Sequence, residues 1–118
     1  AEFVRNMVTY WWSATCELTF VVFCEDVCLA GNNEIAFVQA VVPEHVHPDR
    51  YDPGMASARQ PGVTPFPYPS SIVLYQEGQG YPDFDPDDAA TYYAAVNDRM
   101  AELIEETIRR WDLAGLMR

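Results

Sequence analysis

The chain has 118 residues, of which 49% are hydrophobic, so its length and composition suit one packed domain. Its formal net charge is −11, and all seven of its cations are arginines, a balance that disfavours a surface for nucleic acid or anionic lipid. Acidity favours a basic protein partner, including one whose own ligand is nucleic acid. Genome composition or adaptation to salt would also produce acidity without lysine, with no partner implied.

The first forty residues predict one helix and two strands. Apolar residues at helical spacing predict an N-terminal helix over residues 2–12, although Val8 to Trp12 could also start a strand. Residues 16–24 alternate in a way typical of a strand, and residues 34–42 form a second apolar run of strand length. Because the sequence from Ala30 to Asn33 is typical of a turn, we expect these two strands to form a hairpin.

The middle of the chain is rich in proline. Seven prolines and two glycines lie between Pro43 and Pro69, and this content excludes a long helix or a central strand. We therefore expect an ordered loop or an extended arm over residues 43–70. Residues 71–76 are apolar and predict a third strand, and a glycine-rich turn follows from Glu77 to Phe84.

The C-terminal third predicts a long amphipathic helix. Asp85 is a good N-cap residue, Pro86 suits the first helical position, and Gly115 suits a C-terminal cap. Glu105 and Glu106 are spaced to pair with arginines four residues later. An apolar stripe runs along the segment through Ala89, Tyr92, Tyr93, Val96, Met100, Leu103, Ile104, Ile108 and Trp111.

Together these elements predict an α+β fold. Its sheet is expected to be small and three-stranded, antiparallel or mixed, between an N-terminal helix and a long C-terminal amphipathic helix. We expect a single domain over residues 1–118. The N-terminus lacks the pattern of a signal peptide, and the three cysteines are an odd number, so a cytoplasmic setting with reduced thiols is expected.

Two clusters have the composition of metal sites. Cys24, Cys28, His45 and His47 could supply thiolate and imidazole ligands to zinc, although Cys24 would also suit a buried strand end and the histidines a solvated loop. The aspartates between Asp83 and Asp88 resemble a calcium loop but lack its glycine and its final glutamate. We therefore expect no bound metal and no cofactor.

The sequence carries no catalytic signature. It has neither a phosphate-binding glycine loop nor a nucleophile elbow. Cys16 is expected on an apolar strand face, which raises a thiol pKa and lowers its reactivity. The sequence therefore predicts a protein that is not an enzyme.

The acidic residues are concentrated near the C-terminus. Nine carboxylates and one arginine lie between Glu77 and Glu106. We interpret the chain as a small interaction protein that binds and inhibits a basic partner protein, such as a phage or mobile-element antagonist or an immunity-type protein. The alternative is a structural subunit of a homo-oligomeric assembly, such as a virion component. The predicted partner-binding residues are Asp87, Asp88, Tyr92, Asp98, Glu102 and Glu106.

Overall fold

The computed structural model describes residues 15–23, 31–60, 62–63, 66–113 and 115. Within them, helix α1 spans Cys16–Phe23, helix α2 spans Asn32–Val41 and helix α3 spans Pro86–Leu113. Strand β1 spans Ala56–Ala58 and strand β2 spans Ile72–Leu74, and three short 3₁₀ turns precede β1. The fold is mixed helix and strand. The expected N-terminal helix over residues 2–12 lies outside the described residues.

The two strands expected in the first forty residues are wrong, because both segments are helices. Thr15, just before α1, and Thr19 within it are buried, whereas Glu17 and Val21 are exposed, which is a helical period of burial. Short apolar runs do not distinguish a strand from a buried helix by their periodicity. The segment expected to be a turn instead begins α2, with Gly31 at its N-cap.

Asn32 fixes the start of α2 against the segment that leads into α3. Its side-chain amide donates to the Asp83 carboxylate at 3.0 Å and accepts from the Asp83 backbone N–H at 3.2 Å. The Asn32 backbone N–H donates to the Gly80 carbonyl at 3.0 Å, and the Gln39 side chain donates to the Phe84 carbonyl at 2.8 Å. These hydrogen bonds set the position at which α3 begins.

The long C-terminal helix is confirmed, and so is its N-cap. The Asp85 carboxylate accepts hydrogen bonds from the backbone N–H groups of Asp87 at 2.8 Å and Asp88 at 3.1 Å. These N–H groups would otherwise lack partners in the first turn of a helix. The helix has 28 residues, which corresponds to a rod of roughly 42 Å.

Tyr92 occupies the centre of the core between the three helices. Its side chain is completely buried, and its ring packs 4.9 Å from Phe23 and 5.7 Å from Phe37, measured between ring centroids. Its hydroxyl group shares a 2.8 Å hydrogen bond with the Thr19 hydroxyl. The buried apolar residues of this core are Ala36, Ala89, Tyr92 and Val96.

The sheet is smaller than expected and has a different topology. β1 and β2 form a two-stranded parallel pair in which Ala56 is opposite Ile72 and Ala58 is opposite Leu74. Only β2 corresponds to an expected strand, and β1 lies inside the proline-rich segment that was expected to be a loop or arm. A parallel pair needs a long connection, and residues 59–71 supply it. Ile72 and Leu74 form a second small core with Tyr51 and Ala56.

Candidate functional site

The outer face of α3 is exposed and carries most of the charged residues of this helix. Its inner face packs on α1 and α2 through Ala89, Tyr92 and Val96, all of which are buried. The opposite side of the helix is polar and exposed. The sequence produces this arrangement because the large apolar residues recur at helical spacing on one side, whereas the outer side carries charged residues and alanines.

Four exposed carboxylates lie in register along this outer face, and we call them the acidic row: Asp87, Asp98, Glu105 and Asp112. In an α-helix of 3.6 residues per turn, the second, third and fourth members follow the first after about three, five and seven turns. All four therefore project from the same side of α3. The row extends over roughly 37 Å of the helix axis at 1.5 Å per residue.

The arginines of α3 pair with other acids. Arg99 lies 3.5 Å from the Glu17 carboxylate of α1 and 3.6 Å from the Glu102 carboxylate. Arg109 and Arg110 both form ion pairs with Glu106. Among the ion pairs of the described residues, none involves a carboxylate of the acidic row. The row therefore has no ion-pair partner among the described residues, although Glu105 lines a shallow concavity of α3 together with Arg109 and Arg110.

Glu106 differs from the row in its electrostatics. Hydrogen bonds from the Arg109 and Arg110 side chains hold the pKa of its carboxyl below the ordinary value. We expected Arg109 to pair with Glu105, but in the structure it pairs with Glu106 instead. Glu106 therefore belongs to a local ion-pair cluster and does not present a free charge.

One member of the row is unfavourable for the helix itself. Asp112 lies in the last turn of α3, where the partial negative charge of the helix dipole repels an anion. Asp98 and Glu105 lie in the middle of the helix, where neither dipole end stabilises them. The helix dipole therefore favours an acidic residue at Asp87, in the first turn, but it does not favour acidic residues at the other three positions of the row.

The predicted partner-binding residues fall into three groups in the structure. Asp87, Asp88 and Asp98 are exposed, as is Glu102, which contacts Arg99. Glu106 is half-buried and neutralised. The Tyr92 side chain, also predicted to contact a partner, is 0% exposed in this structure and belongs to the core.

Sequence reasoning missed Glu105 and Asp112 as members of the outer face. Their spacing of seven residues, and the 18 residues between Asp87 and Glu105, are the signals that could have found them, because both correspond to whole numbers of turns. Of the predicted residues, Asp98, Glu102 and Glu106 are four residues apart, and a run at that spacing drifts around the helix.

The described residues do not bring metal ligands together. No group of three or more histidine, cysteine, aspartate or glutamate side chains in this part of the chain could hold an ion. His45 is exposed in the first 3₁₀ turn and His47 is exposed just before the second, whereas Cys24 and Cys28 lie outside the described residues. Asp83 and Asp85 of the calcium-like segment are engaged in hydrogen bonds to Asn32 and to the start of α3.

Within the same residues, no helix is both long enough and apolar enough to cross a membrane. Comparison of the chain with protein-family models, with curated proteins and with solved structures found no match in any of the three.

Proposed function

We propose that the chain is a non-enzymatic interaction protein that binds, and thereby inhibits, a basic partner protein through the outer face of α3. The acidic row is the observation that supports this proposal. It presents four exposed carboxylates on one side of a straight element, and the arginines of that element pair elsewhere. A complementary row of lysines or arginines on a partner would find these charges in fixed positions.

The electrostatic repulsion within the acidic row also supports a role in binding a partner and not in stabilising the fold. Like charges along one helix face repel each other, and Asp112 opposes the helix dipole. Such a surface lowers the stability of the free protein. Contact with a cationic surface would reverse both effects, because it supplies the missing counter-charges.

The test compares two triple variants that each remove three negative charges. The row variant carries Asp98→Asn, Glu105→Gln and Asp112→Asn. The control variant carries the same number of neutralised carboxylates at exposed positions outside α3, namely Glu44→Gln, Asp49→Asn and Glu77→Gln. Both preserve side-chain size and leave the core unchanged.

Affinity capture from a cell lysate, followed by mass spectrometry, identifies the partner, and titration calorimetry with the purified partner then gives the affinities. We expect the row variant to bind roughly tenfold or more weakly at low salt, and the control variant to bind nearly as well as the parent. The affinity of the parent should fall as salt rises, with a shallower dependence for the row variant. Equal losses in both variants would mean that total charge, and not this face, determines binding.

The second candidate function is a subunit of a homo-oligomeric assembly. One observation favours it: the apolar side chains in the second half of α3, including Leu103, Ile104 and Ile108, are only partly buried. A neighbouring copy could cover them. A concentration series in light scattering separates the candidates, since a monomer or dimer supports the binder and a ring or larger oligomer supports the subunit.

A further inference from the structure

A groove beside α2 is lined mainly by apolar side chains, in contrast to the acidic row on the outer face of α3. It has a volume of about 350 Å³ and lies between α2, the 3₁₀ turns and the start of β2. Val38 and Met55 remain 42% and 41% exposed there, which is high for large apolar side chains. Its apolar lining consists of Ile35, Val38, Val46, Met55, Ile72 and Phe84.

The polar groups that line this groove are all able to donate hydrogen bonds. They are His45, His47, Arg50, Tyr51 and Ser71, and no carboxylate is among the lining residues. This is unusual in a chain with 18 acidic residues and seven arginines. An arginine donates only, whereas hydroxyl groups donate and accept, and an imidazole keeps an N–H donor in either protonation state.

Arg50 takes part in none of the ion pairs found among the described residues. Three acids lie near it in sequence, Glu44, Asp49 and Asp52, and all three are exposed and outside the lining. The Asp52 carboxylate accepts the Gly54 backbone N–H at 2.8 Å. The guanidinium charge at the groove therefore remains available to a ligand.

The hydroxyl oxygen of Tyr51 is buried and lacks a hydrogen-bond partner among the described residues. Its ring packs against Phe84 at 5.5 Å between centroids, which fixes its position in the lining. Burial, with the nearby Tyr81 and Asp52, raises the pKa of Tyr51, so the phenol keeps its proton at neutral pH. A buried donor without an acceptor is unfavourable and is normally satisfied by a ligand or water.

We infer that this groove binds a small carboxylic acid that has an aromatic or branched aliphatic body. The body packs on the apolar lining beside Met55 and Ile72. The carboxylate, which only accepts hydrogen bonds, receives them from Arg50 and, once the side chains that close the Tyr51 hydroxyl from solvent shift, from that hydroxyl. The volume suits a ligand at the small end of known binding sites. This site is independent of the acidic row and of the function proposed for it.

The test uses phenylacetate as the probe and phenylacetamide as its neutral counterpart, observed through the methyl resonances of the protein by NMR. We expect phenylacetate to shift the resonances of Val38, Met55 and Ile72 and to bind about tenfold more tightly than the amide. Equal affinity for the two compounds would overturn the inference, because the groove would then be simply apolar. Concentration-dependent shifts of the same resonances without probe would also overturn it, since a second copy would then cover the groove.

Three variants assign the donors. Arg50→Gln should weaken phenylacetate binding about tenfold, whereas Arg110→Gln, which removes the same charge at the far end of α3, should leave it unchanged. Tyr51→Phe should weaken binding several-fold while leaving the melting temperature of the free protein unchanged or raising it. A lower melting temperature for Tyr51→Phe would show that the fold itself uses the hydroxyl and would contradict the inference, as would an equal loss of binding in Arg110→Gln.

Discussion

The hydroxyl groups of Tyr92 and Thr19 lie 2.8 Å apart in the middle of the helical core, where both side chains are buried. Tyr92→Phe would leave the Thr19 hydroxyl without this partner, at a cost of about 1–3 kcal/mol in the free energy of unfolding. The double variant Thr19→Val with Tyr92→Phe should recover most of that loss, because neither hydroxyl then remains unpaired. Urea unfolding of the parent and the two variants measures the effect. A Tyr92→Phe protein as stable as the parent would contradict this account of the core.

Glu106 makes a residue-scale prediction about pH. Its hydrogen bonds to Arg109 and Arg110 lower the pKa of its carboxyl in the folded state. A lowered pKa contributes stability above the unfolded-state value, and that contribution is lost as pH falls through the folded-state value. An NMR titration of the Glu106 carboxyl carbon should therefore give a pKa below the ordinary value, and Arg109→Gln should raise it. The prediction fails if the titration midpoint is the same in both proteins.

At the scale of elements, the stripe of α3 is buried unevenly. Tyr92 and Val96 in its first half are buried, whereas Leu103 and Ile104 in its second half are half-buried. The sequence stripe suggests equal burial along the helix, because it records polarity and not the presence of a neighbour. α1 and α2 are short, and they pack against α3 over only part of its length.

A matched pair of substitutions tests this unevenness. Leu74 in β2 is 0% exposed, so Leu74→Ala should cost about 2–5 kcal/mol in the free energy of unfolding. Leu103→Ala removes the same atoms from a half-buried site and should cost clearly less, about 1–2 kcal/mol. Chemical denaturation of both variants provides the comparison. Equal costs would show that Leu103 is covered as fully as Leu74.

The cap of α3 supports a second prediction for this element. Asp85→Ala should destabilise the protein by about 1 kcal/mol, because two backbone N–H groups lose their acceptor. Asp85→Ser retains an oxygen in the same place and should restore most of the stability. Thermal unfolding of the two variants checks the prediction, and equal melting temperatures for them would argue against a capping role.

The same elements show what sequence patterns can and cannot predict here. α3 was predicted because its cap, its dipole-matched first turn and its long stripe all agree. α1 and α2 were mistaken for strands because each is a short apolar segment, and Val38 and Val41 stay exposed on α2, which imitates a strand with two apolar faces. β1 was missed since its sequence, Ala-Ser-Ala, has no strand preference and pairs only through the distant β2.

The candidate surface was predictable to a similar extent. The acidic outer face follows from composition and helical spacing, so Asp87 and Asp98 were found. The burial of Tyr92 was not predictable, because an aromatic residue beside an acidic cap suits an interface as well as a core, and its packing on Phe23 and Phe37 is visible only in the structure. The groove near Tyr51 could not be predicted, because its lining comes from three separate parts of the chain.

At the scale of the whole molecule, charge is divided unequally between two surfaces. The outer face of α3 carries a row of acids that form no ion pair among the described residues, whereas the groove is lined by Arg50 and two histidines and by no acid. With a formal net charge of −11, self-repulsion opposes the compact state, and the acidic row concentrates part of that repulsion on one helix.

The stability of the free protein should therefore depend on salt in a way that reports the row. Screening lengths fall from ~30 Å at 0.01 M to ~8 Å at 0.15 M salt, which spans the separations between neighbouring members of the row. We expect the row variant, Asp98→Asn with Glu105→Gln and Asp112→Asn, to melt about 2–4 °C above the parent at low salt, with the difference shrinking as salt rises. The control variant at Glu44, Asp49 and Glu77 should show a smaller gain in melting temperature, since those charges are not aligned on one element.

Calorimetric scans across a salt series measure the melting temperatures of both variants. If the row variant melts below the parent at low salt, then these carboxylates stabilise the fold, and the case for a surface that awaits a cationic partner loses its physical basis.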